Sequence, residues 1–156
     1  MNLLIETDAG LYRLQLIKKE ETDRICSVRV DMGTPDFVPE HISARFSYTG
    51  VSMGNPHCVV FTEGIDTLDL EKTGPEFEHH PLFPDRINTE FVEVIDEHTL
   101  KMRVWERGAG ETISCGTGTC ASTVAAVLNG YCPRGEEITI QIRGGVLYDT
   151  YLENGD

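Results

Sequence analysis

The sequence predicts an α+β fold in which an antiparallel, barrel-like sheet wraps a central helix. Three observations carry this. Most of the chain alternates apolar and polar residues with period two, as half-buried strands do. The clearest helical segment, GTGTCASTVAAVLNG at 116–130, contains VAAVL, which is apolar nearly all round. That suits a helix enclosed by a curled sheet rather than one lying on a surface. The element order is mostly strands, with this strong helix and one weaker one.

Taken in order, NLLIET and LYRLQLI flank Asp8-Ala9-Gly10 and form a hairpin. ICSVRVDM is the next strand, and the Pro/Gly-rich GTPDFVPEH after it reads as a loop. ARFSYTGVSM and HCVVFT are strands separated by Gly54-Asn55-Pro56. The acidic stretch IDTLDLEKTGPEFEHHPLFP holds one short helix, with Asp66 or Thr67 as its N-cap. INTEFVEVID and LKMRVWER make a hairpin turned at Glu97-His98. The strong helix follows and is stopped by Gly130 and Pro133. EITIQIRGG and VLYDTYLEN form a last hairpin around Gly144-Gly145.

A chain of 156 residues suffices for one ordinary domain or two small lobes. Its net charge of −13 opposes binding to nucleic acid or to an anionic membrane. An acidic substrate would need strongly local positive potential. The five cysteines are odd in number and contain no CxxC pair, so neither a disulfide framework nor a metal site is expected. Free thiols fit a reducing cytoplasm. No apolar run approaches the length of a membrane span, and the start has no signal-peptide pattern.

Three clusters carry chemistry. In ISCGTGTCAS, residues 113–122, Cys115 stands where a glycine-rich turn opens into a helix. Unpartnered N–H groups of a first helical turn carry partial positive charge and are expected to lower a thiol pKa there. Gly116, Thr117 and Gly118 would let an anion approach those groups. Local sequence leaves open whether Cys115 is reactive or an ordinary buried residue. Cys26, Cys120 and Cys132 read as structural. In VWERGAGET, residues 104–112, Arg107 could fork onto a carboxylate and Glu106 could bind an ammonium or move a proton; a solvated ion pair is the plainer alternative. In MGNPHC, residues 53–58, Asn55 reads as a turn residue and His57 as structural or a base. Asn88 reads as a strand-edge residue.

Together, GNPHCVVF, HPLFPDRINTEFVEV and VWERGAGETISCGTGTCA resemble diaminopimelate epimerase in order and spacing, over essentially the whole chain. The resemblance implies a cofactor-independent isomerase interconverting LL- and meso-diaminopimelate, in the route to lysine and peptidoglycan. It implies two lobes, each a barrel-like sheet around a helix, with the active site between them. Cys115 resembles one of two catalytic thiols, and Gly116 and Thr117 resemble the backbone donors to the α-carboxylate. Glu106 resembles the contact to the α-ammonium. Arg107, Asn55 and Asn88 resemble the clamp on the distal carboxylate, and His57 a histidine close to the catalytic pair. No cofactor and no metal are implied; the partner is the small-molecule substrate, and a homodimer is the oligomer left open.

The family's other thiol lies in a CGNG-type turn that is absent from this sequence. The chain is therefore expected to hold the tail of a first lobe in residues 1–48 and the second lobe in 49–156, with half a site and no epimerase activity alone. A proline or hydroxyproline racemase, a non-catalytic binding module of the same fold, and a cysteine acyl-transfer enzyme using Cys115 and His57 are the alternatives.

Overall fold

A computed structural model describes residues 1–7, 10–38 and 47–155. The chain forms two compact units, Met1–Gly33 and Thr34–Gly155.

The first unit is a three-stranded antiparallel sheet in the order β1 (Asn2–Thr7), β2 (Gly10–Lys18), β3 (Ile25–Val30). Thr7 pairs with Gly10 across the predicted hairpin; Asp8 and Ala9 lie outside the described residues. Strand register puts Leu3, Ile5, Leu14, Leu16, Val28 and Val30 on one face. None of the six is buried within the unit. The charged Glu6, Arg13 and Arg29 fall on the opposite face.

The second unit contains an eight-stranded sheet. Its path runs β11 (Gly145–Thr150), β10 (Glu137–Ile142), β8 (Thr99–Glu106), β7 (Asn88–Asp96), β6 (Pro56–Phe61), β5 (Thr49–Ser52), β4 (Asp36–Val38). The short β9 (Gly110–Thr112) pairs with β8 off this path. Part of the predicted loop GTPDFVPEH is thus strand, because β4 pairs antiparallel with β5 and its edge hydrogen bonds outweigh the flanking prolines. Residues 39–46, including the start of ARFSYTGVSM, lie outside the described residues.

The α+β expectation holds, but the sheet is mixed rather than antiparallel throughout. β6 pairs parallel with β7, and β8 pairs parallel with β10. Parallel neighbours need a long crossover, and each of these pairs has one that carries a helix. α1 (Leu70–Glu78) lies between β6 and β7, and α2 (Gly116–Leu128) lies between β9 and β10.

α2 packs against β5, β6, β7 and β11. Laid flat, the strands from β11 to β5 would span about 24 Å at ~4.8 Å per strand. A helix is only about 10–12 Å across. The sheet therefore curls around α2, as the apolar VAAVL predicts. Val51, Val59, Val92, Met102, Val124 and Ile140 are among the residues of that core. α1 covers the other face of β7 and β8, where Cys58, Val60, Phe77, Phe91 and Trp105 form a second core. Alternation along β6, β7 and β8 sends consecutive residues into the two cores, so these strands are buried on both sides.

The N-cap of α1 is Asp69, whose side chain accepts from Lys72 N, and not Asp66 or Thr67. Those two residues form a 3-10 turn, Ile65–Thr67, that precedes the helix. Gly74 on α1 meets the Trp105 ring so closely that a Cβ would stand 2.2 Å from Cδ2. Among the described residues no helix is long and apolar enough to cross a membrane.

Candidate active site

The predicted site residues all lie in the second unit, where the N-terminal ends of β6 and β7 and the C-terminal end of β8 meet the N-terminus of α2. Cys115 is the N-cap of α2 in an extended conformation, φ −145 and ψ 104. Its carbonyl accepts from Thr119 N at 3.0 Å, and its side chain makes no capping bond. The thiol is partly buried, with the exposed Ile113, Ser114 and Gly116 beside it in sequence.

A connected set of side chains runs from this sulfur into the protein. Cys115 Sγ lies 3.6 Å from Thr117 Oγ1. Asn55 Nδ2 donates to that hydroxyl at 3.2 Å. Asn55 Oδ1 faces His57 Nε2 at 3.2 Å, and His57 Nδ1 faces Glu90 Oε1 at 2.6 Å. His57 and Glu90 are both fully buried, and Glu90 Oε2 has no hydrogen-bond partner among the described residues. Glycine is required at position 118. A Cβ there would stand 2.7 Å from Glu90 Oε1 and 3.1 Å from Cys115 Sγ.

The remaining predicted residues form a second set. Asn88 pairs with His57 in the parallel β6–β7 register, and its Oδ1 accepts from Arg107 N at 2.8 Å. Arg107 is exposed, and its Nη1 donates to Asp85 O at 3.2 Å. Glu106 ends β8 and accepts from the Thr112 hydroxyl. Its charge acts on both Glu90 and Cys115. The loop after Arg107 is held by the buried Glu78, which accepts from Gly108 N at 2.8 Å and from Trp105 Nε1 at 2.7 Å.

The expectation that the helix end lowers the Cys115 pKa is corrected. Burial raises it, with the Glu90 and Glu106 charges adding to the rise; the Thr117 hydroxyl and Gly118 N–H pull it only partly back. Desolvation of the thiolate outweighs the donors at this helix start. Burial also raises Glu90, against the pull of His57. In the resting chain Cys115 is therefore suited to hold a proton.

Sequence reasoning missed Glu90 and Glu78. Glu90 carried a signal: it is a carboxylate inside the apolar strand NTEFV, two residues from Asn88 and so on the same face.

The curled mixed sheet around an enclosed helix is a fold also found in solved structures of a probable racemase and an epimerase. These are a probable proline racemase from Agrobacterium radiobacter K84, at TM-score 0.68 and 15% identity, and a hydroxyproline epimerase from Agrobacterium vitis, at TM-score 0.70 and 14% identity. Each comparison covers 97% of this chain and 52% of the other. At these identities the likeness concerns the fold alone. The diaminopimelate epimerase family model matches residues 49–156. Diaminopimelate epimerases from Acetivibrio thermocellus and Desulfovibrio desulfuricans are 48% and 46% identical over 97% and 94% of this chain. The chain belongs to the diaminopimelate epimerase family. It spans 59% and 58% of the length of those two relatives.

Proposed function

We propose that this chain carries one half of the active site of a cofactor-independent amino-acid epimerase acting on diaminopimelate, in lysine and peptidoglycan biosynthesis. The observation that carries the reading is the placement of a partly buried Cys115 at the start of α2, beside Thr117 and connected through it to Asn55.

The chemistry asks for this arrangement. An amino acid Cα–H is a very weak acid, so its removal needs strong stabilisation of the charge that develops on the α-carboxylate. The N–H groups of Gly116 and Thr117 open α2 and are free of intrahelical partners by position. They would receive that carboxylate, with Glu106 on the α-ammonium. Arg107, Asn55 and Asn88 would hold the distal carboxylate. Cys115 would deliver hydrogen to one face of Cα, and a second thiol, supplied by sequence outside this chain, would remove it from the other. The raised pKa of Cys115 suits the donating role.

Two measurements test the reading. Iodoacetamide labelling of Cys115, resolved by peptide mass spectrometry, should be slowed by diaminopimelate and not by proline or lysine. Absence of protection counts against a diaminopimelate site, and protection by proline favours a proline racemase-like enzyme. Incubation of the chain with LL-diaminopimelate in deuterated water should give no α-deuteration. Rapid deuteration with inversion would overturn the half-site reading.

A further inference from the structure

The bonds between Glu90 and the sulfur have a direction. Asn55 Nδ2 donates to Thr117 Oγ1, so the Thr117 hydroxyl hydrogen is free to point at Cys115 Sγ. Asn55 holds that orientation only if its Oδ1 accepts a hydrogen bond from a protonated His57 Nε2. If Nε2 were bare, the Asn55 amide would turn over and present oxygen to Thr117. The hydroxyl would then donate to Asn55, and Thr117 would offer the sulfur a lone pair. The first arrangement favours a thiolate and the second favours a thiol.

What decides between them sits at the other ring nitrogen. His57 Nδ1 and Glu90 Oε1 are 2.6 Å apart, a separation that calls for one proton between them. Whether that proton rests on the carboxyl or on the ring, Nε2 keeps its own. The fully buried site, with Glu90 Oε2 unpartnered, disfavours an uncompensated carboxylate and so retains the shared proton. The ionisable groups that act on the pair from its own side are Glu106 on β8 and Cys115 at the head of α2; Cys58 on β6 lies in the second core, on the opposite face of the sheet.

We infer that Glu90 is a positioning residue: it holds His57 protonated at Nε2, and through Asn55 it directs the Thr117 hydroxyl onto the Cys115 sulfur. The inference deepens the acid/base role given to Cys115 above and rests on it. The relay lets a proton-holding thiol become a thiolate in place when its hydrogen leaves.

The test compares Glu90→Gln with the unaltered chain by long-range 1H–15N spectra of His57 and by the alkylation rate of Cys115. A glutamine can offer Nδ1 either its N–H or its C=O, so it no longer selects one state. The unaltered chain should show one His57 form with a protonated Nε2. Glu90→Gln should show two tautomers or their average, and Cys115 should react about three- to tenfold more slowly, the size of one lost hydrogen bond. Loss of the Glu90 charge alone would act the other way and speed the reaction. Faster alkylation, or an unchanged His57 spectrum, would overturn the inference. Glu90→Asp should restore the single form. If Glu90→Gln does not fold, Thr117→Val cuts the relay at its partly exposed end. It should slow Cys115 alkylation by a similar factor and leave the His57 spectrum unaltered; an unchanged rate would refute the relay. Diaminopimelate protection is read separately, so a failed relay and a failed substrate assignment give different results.

Discussion

Two buried glutamates on neighbouring elements of the second unit have opposite electrostatics. Glu78, near the end of α1, uses both oxygens: Trp105 Nε1 binds one, Gly108 N and Arg86 Nη1 bind the other. The Trp105 bond is the leading cause of its lowered pKa, assisted by Gly108 N–H and the Arg86 charge against the cost of burial. Glu90, inside β7, has His57 on one oxygen and, among the described residues, no partner on the other, and burial raises its pKa. Burial alone does not make a carboxylate a strut or a proton-holding group; the count of fixed donors does. Glu78 fastens the loop behind Arg107, and Glu90 lies beside the Cys115 thiol.

The contrast can be broken at either end. The largest effect is expected from Glu78→Ala, which strands the buried Trp105 donor and frees the exposed loop at Gly108, and should cost about 3 kcal/mol in urea unfolding. A loss below about 1 kcal/mol would mean that water or a neighbour replaces the carboxylate and that Glu78 is no strut.

Asp149 extends the comparison to a third carboxyl, half-buried on β11. It faces the hydroxyls of Thr119 and Thr123 and the Cys120 thiol, none of them a charged or backbone donor, and burial raises its pKa to about 6. A raised carboxyl pKa means that the folded state binds the proton more tightly. Its contribution is therefore favourable below the unfolded pKa of about 4 and is lost as pH rises towards the folded value. Stability should fall by about 2–3 kcal/mol across that window. In Asp149→Asn, unfolding midpoints measured between pH 4 and pH 7, roughly the window set by these values, should lose that slope. An unchanged slope would place the titration elsewhere.

The smallest effect is expected from Glu90→Gln on stability, within about 1 kcal/mol at neutral pH, because a neutral amide replaces a group whose charge is disfavoured there. The pH dependences have opposite signs. Glu78, with its lowered pKa, contributes stability above the unfolded carboxyl pKa and loses it as pH falls through the folded value, so Glu78→Gln should flatten the acid side. Glu90, with its raised pKa, costs stability as pH rises from the unfolded value to the folded one, so Glu90→Gln should flatten that decline. Unfolding curves for both variants over the same pH series check the two signs. A large destabilisation by Glu90→Gln, matching that of Glu78→Ala, would erase the distinction between them.

The sequence by itself determined most of the strands, though not the short β4 read as loop, which helix is enclosed, and where Cys115, Asn55, His57 and Asn88 stand in the chain's order of elements. Period-two alternation, an apolar helix and glycine-rich turns are local properties, and local properties are what a sequence displays. The first unit's sheet was legible for the same reason, down to the alternation that places Leu14 and Leu16 on one face. Tertiary structure alone decided the rest. Alternation does not encode strand direction, so the parallel β6–β7 and β8–β10 pairs come only from their helical crossovers. That parallel register sets His57 opposite Asn88 and brings it to Glu90, 33 positions away in sequence. The helix start predicted a lowered Cys115 pKa, and packing reversed the sign, because desolvation depends on how many neighbours exclude water and not on which residues flank the thiol.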